Sequence, residues 1–280
     1  MIRNNYYYLV AGLPEIILEQ GKLQFGTEQL REELKQGLSP GDFRLFEMLL
    51  LPEDNSNLLS LLQKEDRPRS AKGIYPPEML AAAIREPGAL MNYMQLFIGS
   101  FYAENRLYPN LSPQNELTLL YFKEMLEVKN NFMRSWFGFE LNLRNVLLVL
   151  SAKKNGLPYE NHVIAANALA ESIRRSSARD LGLTQEWPWI DRVLQIVEIQ
   201  DLLAREKAID QLRWNFLDEM NTFNYFTVEV LIAFYIKLGI IERWLQLDPA
   251  TGEELFRSML GSLQNSYEFP NEFNIKDGRK

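Results

Sequence analysis

FELNLRNVLLVLSAKKNG, residues 139–156, is the stretch on which the reading of the fold turns. On a helical wheel Phe139, Leu143, Val146 and Leu150 fall on one face, Leu141 and Leu148 on another, with Leu147 and Val149 on the flanks. A helix that is apolar nearly all round belongs inside a helical assembly, not on its surface. Its one polar stripe holds Glu140, Arg144 and Ser151. Glu140 and Arg144 stand one helical turn apart with the acid first, an order worth about 0.2–0.5 kcal/mol on an exposed helix. Asn142 lies nearer the apolar side, so burial would oblige it to find a hydrogen-bond partner. The expected state is a core helix with one wet edge, stopped by Asn155-Gly156. Its polar groups would either fix how neighbouring helices pack or touch a partner.

The helical period continues in both directions. TEQLREELKQ, residues 27–36, starts with Thr27 as an N-cap and Glu28 in the first turn. A helix is expected from Asp42 to Leu51, ended by Pro52. PEDNSN, a short leucine patch and KEDRPRSAKGIYPP then read as a linker with room for one short helix. PEMLAAAIRE and ALMNYMQLFIGSFYAENRL follow, and Ser112-Pro113 opens a segment that runs to Trp136. Beyond Gly156 come YENHVIAANALAESIRRSS, one long pattern over 186–223, TVEVLIAFYIKLGIIERWLQL and EELFRSMLGSLQNS. Tyr6–Val10 could pair with residues 23–25 as a short hairpin, or could be helical. There is no glycine-rich phosphate loop and no alternation of strands with helices. The expectation is an all-α, multi-helix fold with at most a short N-terminal β-hairpin. Its parts are a helical region over 1–51, a linker over 52–76, a main helical domain over 77–266 and a tail over 267–280.

Composition removes several chemistries. The chain has no cysteine, which excludes disulfides, cysteine–zinc sites, iron–sulfur clusters and thiol nucleophiles. Its one histidine, His162, would have to serve any Ser-His-Asp triad or His-bound metal, and no acid stands near it at ligand spacing. A net charge of −7 lacks the footprint of a general nucleic-acid binder. No catalytic residue, metal or cofactor is expected. The N-terminus carries a single Arg3 before a short apolar run cut by Pro14, unlike a secretory signal. The most membrane-like run, Val228 to Ile241, is shorter than the roughly 20 residues a span needs and contains Glu229 and Lys237. These features suggest a cytoplasmic chain.

Polar candidates remain. Arg174, Arg175 and Arg179 cluster among serines in SIRRSSARD and could hold a phosphate or an acidic surface, or simply form a solvated helix end. Lys237 falls within the apolar stripe of the segment 226–247, with Glu229 two turns earlier on the same side. An ion-pair network would explain both, because a buried unpaired lysine is costly. Trp187 and Trp189, and Phe223, Tyr225 and Phe226, read as helix-packing anchors and not as base-stacking platforms.

Phe139–Gly156 also resembles a recurrent helix motif of the C/d-subunit family of V/A-type ATPases. The shared pattern is an acid, Asn, a base, aliphatics, further bases and glycine, here Glu140, Asn142, Arg144, Leu147 to Leu150, Lys153, Lys154 and Gly156. YFKEMLEVKN, residues 121–130, is similar to the preceding part of that pattern with one residue extra. AFYIKLGIIERW, residues 233–244, is a fainter echo that sets Tyr121 against Tyr235, Lys123 against Lys237 and Lys129 against Arg243. The start NNYYYLVAGLP resembles a bacterial family of proteins associated with V-type ATP synthases. The resemblance implies an all-helical, three-lobed funnel without enzymatic activity. It would link the central stalk of a rotary ATPase to the membrane rotor ring, peripheral at the inner face of the membrane. A helical protein–protein adaptor unrelated to ATPases is the alternative, and an α-helical enzyme using carboxylates and arginines a third reading.

Overall fold

The computed structural model describes residues 4–247 apart from 20, 104 and 177. The helix expected over 253–266 and the tail over 267–280 lie outside the described residues. The order is α1 Tyr7–Ala11, α2 Thr27–Gly37, α3 Pro40–Glu47, α4 Leu51–Leu62, α5 Pro77–Ala83, a 3₁₀ turn Pro87–Ala89, α6 Asn92–Tyr102, α7 Pro113–Met125, α8 Asn131–Lys154, α9 Ala168–Arg175, α10 Ile190–Val197, α11 Leu202–Asn221 and α12 Val228–Gln246. The fold is all-α, with no strand among the described residues. The run that could have paired as a hairpin is helical, as α1.

The opening stretch is the C-terminal two-thirds of α8, and α8 is central. Helices α7, α9 and α10 all pack on it. Leu141, Leu143, Val146 and Val149 have no measurable exposure, and each such side chain withdrawn from water contributes about 1.5–3 kcal/mol. The helix stops as its sequence suggests. Gly156 takes φ +65°, and the Leu157 N–H donates to the Ala152 carbonyl at 2.9 Å, closing a Schellman-type end.

Helix boundaries follow side-chain caps more closely than apolar periodicity. Ser112 accepts from the Asn115 N–H at 3.2 Å with Pro113 in the first turn, as expected. The segment that begins there does not run to Trp136, however. It ends at Met125, and Asn130 opens α8 by accepting from the Met133 N–H at 3.0 Å. The pattern over 186–223 is likewise divided, because Asp201 caps α11 through the Ala204 N–H at 2.7 Å. In both cases buried helices on either side of the break keep the apolar rhythm going through it.

Two other starts differ from the sequence reading. Pro52 does not end a helix; it sits in the first turn of α4, where its missing N–H costs nothing. Thr27 is not an N-cap, because the carboxylate of Glu242 on α12 does that work. Glu242 accepts from the Thr27 N–H at 2.7 Å and its hydroxyl at 2.6 Å, tying α2 to α12.

The stretch 52–76 therefore begins inside a twelve-residue helix, Leu51–Leu62. Its return segment is held by groups on α4 and α2. Buried Asp54 accepts from the N–H groups of Ile74 at 2.9 Å and Tyr75 at 3.1 Å. Asn57 exchanges two hydrogen bonds with Ser70, and Arg31 donates to the carbonyls of Lys72 and Gly73. Gly73 is required here, since a Cβ on it would lie 2.1 Å from the Asp54 Oδ1.

Candidate functional site

The polar groups of α8 find partners on other elements. Glu140 does not pair with Arg144. It receives two hydrogen bonds from Arg213 of α11, Nε at 2.8 Å and Nη2 at 3.2 Å. Arg213 also reaches Asp210 at 3.0 Å, and the Asp210 Oδ2 accepts from Trp244 Nε1 at 2.7 Å and from Arg243 of α12. Burial works against the Arg213 charge, but the two flanking carboxylates outweigh it and hold the guanidinium above its ordinary pKa. One chain of charges thus joins α8, α11 and α12.

Asn142 accepts from the Asn167 side chain at 3.1 Å. Asn145, fully buried, does more: it donates to the Ile164 carbonyl at 2.9 Å and accepts from the Ile164 N–H at 3.0 Å. Both asparagines hold the segment that leads into α9. His162 lies in a turn of that segment and not at a helix start, because Asn167 caps α9 five residues later. Arg144 reaches Asn115 at 3.4 Å, its Nη1 is buried without a hydrogen-bond partner, and burial lowers its pKa.

The remaining candidates do not converge. Arg174 and Arg175 both approach Glu171, at 2.7 and 3.7 Å, on the last turn of α9, and Arg179 is exposed beyond it. Lys237 pairs with Asp218 of α11 and lies 4.6 Å from the Trp214 ring centroid. Lys123, set against it in the faint repeat, similarly lies 4.9 Å from the Tyr108 ring centroid. Glu229 is buried and accepts from Asn130 Nδ2 at 3.0 Å. It sits in the first turn of α12, where a carboxylate complements the helix dipole.

That Asn130–Glu229 contact lies in the wall of a groove of about 950 Å³, bounded by α3, the junction of α7 with α8, and the α11–α12 corner. Four of the chain's nine methionines, Met48, Met91, Met125 and Met220, line it. So do four carboxylates, Asp42, Glu124, Glu127 and Glu229, against one lysine, Lys129. Like Glu229, which accepts from Asn130, two more of these acids accept from neutral groups. Asp42 accepts from Asn4 and Ser39, each at 2.9 Å, and from the Tyr6 hydroxyl. Glu124 accepts from the Tyr93 N–H at 3.0 Å. Burial alone would push the Asp42 carboxyl up; the three hydrogen bonds outweigh it, so Asp42 titrates below its ordinary value. A floor of flexible thioethers under carboxylates suits an apolar surface carrying positive charge. A smaller hollow of about 530 Å³ between α4 and α7 gathers mainly neutral polar groups such as Asn55, Ser56 and Gln114. Among the described residues no three acids or histidines come together to hold a metal ion.

Beside the groove stands an aromatic ledge. Trp187 and Trp189 are packing anchors as expected, grouped with Phe139 and Phe216, whose rings stack at 4.1 Å. Phe223 and Tyr225 are not: they are 87% and 68% exposed. Tyr8, 91% exposed, lies on α1, which is tied to this corner by the Tyr6 N–H donating to the Phe226 carbonyl at 2.6 Å and by the Tyr7–Phe226 ring contact.

A family model described as "Protein of unknown function (DUF2764)" matches residues 3–267. The chain belongs to this family. No curated protein and no solved structure matches it. The DUF2764 match spans α1 to α12, so the groove, the ledge and the charge chain all lie within the family's unit. Sequence reading singled out Glu229 among the groove residues but missed Asp42, Glu124 and Glu127. Asp42 and Glu124 stand on ordinary charged helix faces and Glu127 in the turn after α7, and the methionines beneath them are scattered from 48 to 220 with no linear signature.

Proposed function

We propose that this chain is a non-catalytic docking component of a V/A-type rotary ATPase, coupling the central stalk to the membrane rotor ring. The observation that carries the reading is where the resemblance falls. Tyr121–Asn130, one of the stretches that resemble the C/d-subunit family, supplies Glu124, Met125, Glu127, Val128, Lys129 and Asn130 to the groove wall. The stretch Phe139–Gly156 forms the buried centre of α8, locked to α11 by the Glu140–Arg213 pair. A rigid body with one adaptable, charged recess is the form a coupling part needs. The chain would work at the membrane through its partners, and no helix among the described residues is long and apolar enough to cross a bilayer.

The test is isolation of the complete ATPase from native membranes through a tag on another of its proteins. The expected result is this chain in fixed ratio to central-stalk and rotor-ring proteins. A fully assembled, active ATPase lacking the chain would overturn the reading. In that case the exposed ledge and groove favour the second reading, a helical adaptor serving a different assembly.

A further inference from the structure

We propose that the groove and the aromatic ledge together seat one amphipathic helix of a partner protein, apolar on the face it buries and basic on its flanks. The inference rests on the docking reading above and adds the chemistry of the occupant. Charge complementarity selects it. Four carboxylates face one lysine around an apolar floor, and the donors that hold Asp42 and Glu124 are neutral and leave their charge to be matched from outside. Methionine floors accept helices of varied sequence because the thioether side chain repacks at little cost.

The same charges argue against other occupants. Residues 248–280 of this chain carry six acidic against four basic side chains, so they bring no net positive charge. A second copy carries a net −7. Nucleic acid and an anionic bilayer would both meet the carboxylates beside the ledge. The ledge fits the proposed occupant in another way. Exposed aromatic rings at the edge of an apolar recess are the residue type that most often dominates a protein interface. Tyr6 couples the two parts physically, its hydroxyl on Asp42 in the groove and its N–H on Phe226 in the ledge.

The experiment uses the full chain and fluorescein-labelled peptides of about 18 residues, enough for five helical turns. One carries leucines on one face and lysines on the flanks, a second has glutamate for every lysine, and a third scrambles the first. Anisotropy should show the lysine helix binding at least about tenfold tighter than either control, and weakening as salt rises. Glu127→Lys, at an exposed rim position, should weaken it about tenfold. Phe223→Ala with Tyr225→Ala should do the same, while Glu186→Lys, exposed and outside the groove, should leave it unchanged. Circular dichroism of each variant must match the parent. Equal binding of the lysine and glutamate helices, or indifference to Glu127→Lys, overturns the proposal. So does failure of every peptide together with ledge-dependent binding to phosphatidylcholine–phosphatidylserine vesicles, which would make the ledge a membrane contact. A chain that co-purifies with the ATPase yet ignores the lysine helix refutes only the occupant; a chain that binds the helix yet is missing from the ATPase refutes only the assembly.

Discussion

Replacing Asp210 with alanine tests the charge chain that fixes α8 against α11 and α12. Asp210 is 1% exposed and accepts from Arg213, Trp244 and Arg243. The Arg213 contact is charge-assisted and largely out of water, so its loss costs about 1.5–3 kcal/mol. The Trp244 indole N–H adds about 1 kcal/mol. The Arg243 side chain is 46% exposed, so water replaces its partner and this contact adds little. Together the loss should be about 3 kcal/mol, at the lower edge of what breaking a buried ion pair costs. In urea, with a slope of about 3 kcal/mol/M, the midpoint should fall by about 1 M without a change of slope. The melt is followed by far-ultraviolet circular dichroism and by tryptophan fluorescence, since Trp244 and Trp214 report on α11 and α12. Arg213→Met should cost less in the Asp210→Ala background than in the parent, by at least about 1 kcal/mol. A loss below about 1 kcal/mol, or full additivity, would refute the idea that these side chains act as one network.

The other predictions concern single groups. Asn145→Leu should destabilise by about 2–4 kcal/mol, because it strands both the N–H and the carbonyl of Ile164. Asn142→Leu removes one bond to a partly buried side chain and should cost about 1 kcal/mol in the same urea melt. Burial raises the Asp54 carboxyl to about 6 despite two backbone hydrogen bonds, so the folded state holds its proton more tightly than the unfolded chain. The resulting contribution, up to about 3 kcal/mol, is fully present below the unfolded pKa near 3.8 and is lost as pH rises through about 6. Asp54→Asn should remove that part of the dependence between pH 4 and 7, and an unchanged profile would contradict the assignment. Lys237→Met should shift stability by less than about 1 kcal/mol, because its partner Asp218 is 60% exposed and such pairs contribute little.

Much of the helical architecture is legible in the chain, for local reasons. A serine before Pro113 and the glycine after Asn155 mark real helix ends because capping is decided within a few residues. The buried character of residues 139–154 follows from an apolar wheel that leaves no other place for the helix. What misleads is periodicity. It runs through the breaks at Asn130 and Asp201; proline's reputation as a helix breaker separately makes Pro52 look like a stop when it is a start. Among the candidate residues, the sequence points to Asn142, Glu229 and Lys237 as polar groups beside apolar surfaces and to Glu140 on a polar stripe, but not to what satisfies them. The exposure of Phe223 and Tyr225 is invisible for the same reason, since an aromatic residue in a short turn packs or projects according to what lies beside it.

By itself the sequence determines that the fold is all-α, that α8 lies inside it, and that cysteine chemistry is excluded. These depend on residue type and on spacing within one turn of helix. Tertiary structure alone decides that Glu140 pairs with Arg213 across 73 positions and leaves Arg144 to Asn115. It alone brings Asp42, Glu124, Glu127 and Glu229 around four methionines from distant parts of the chain. A carboxylate chooses the cation that the packing of helices sets within about 3 Å of it, and that distance is fixed by how the helices cross and not by their order along the chain.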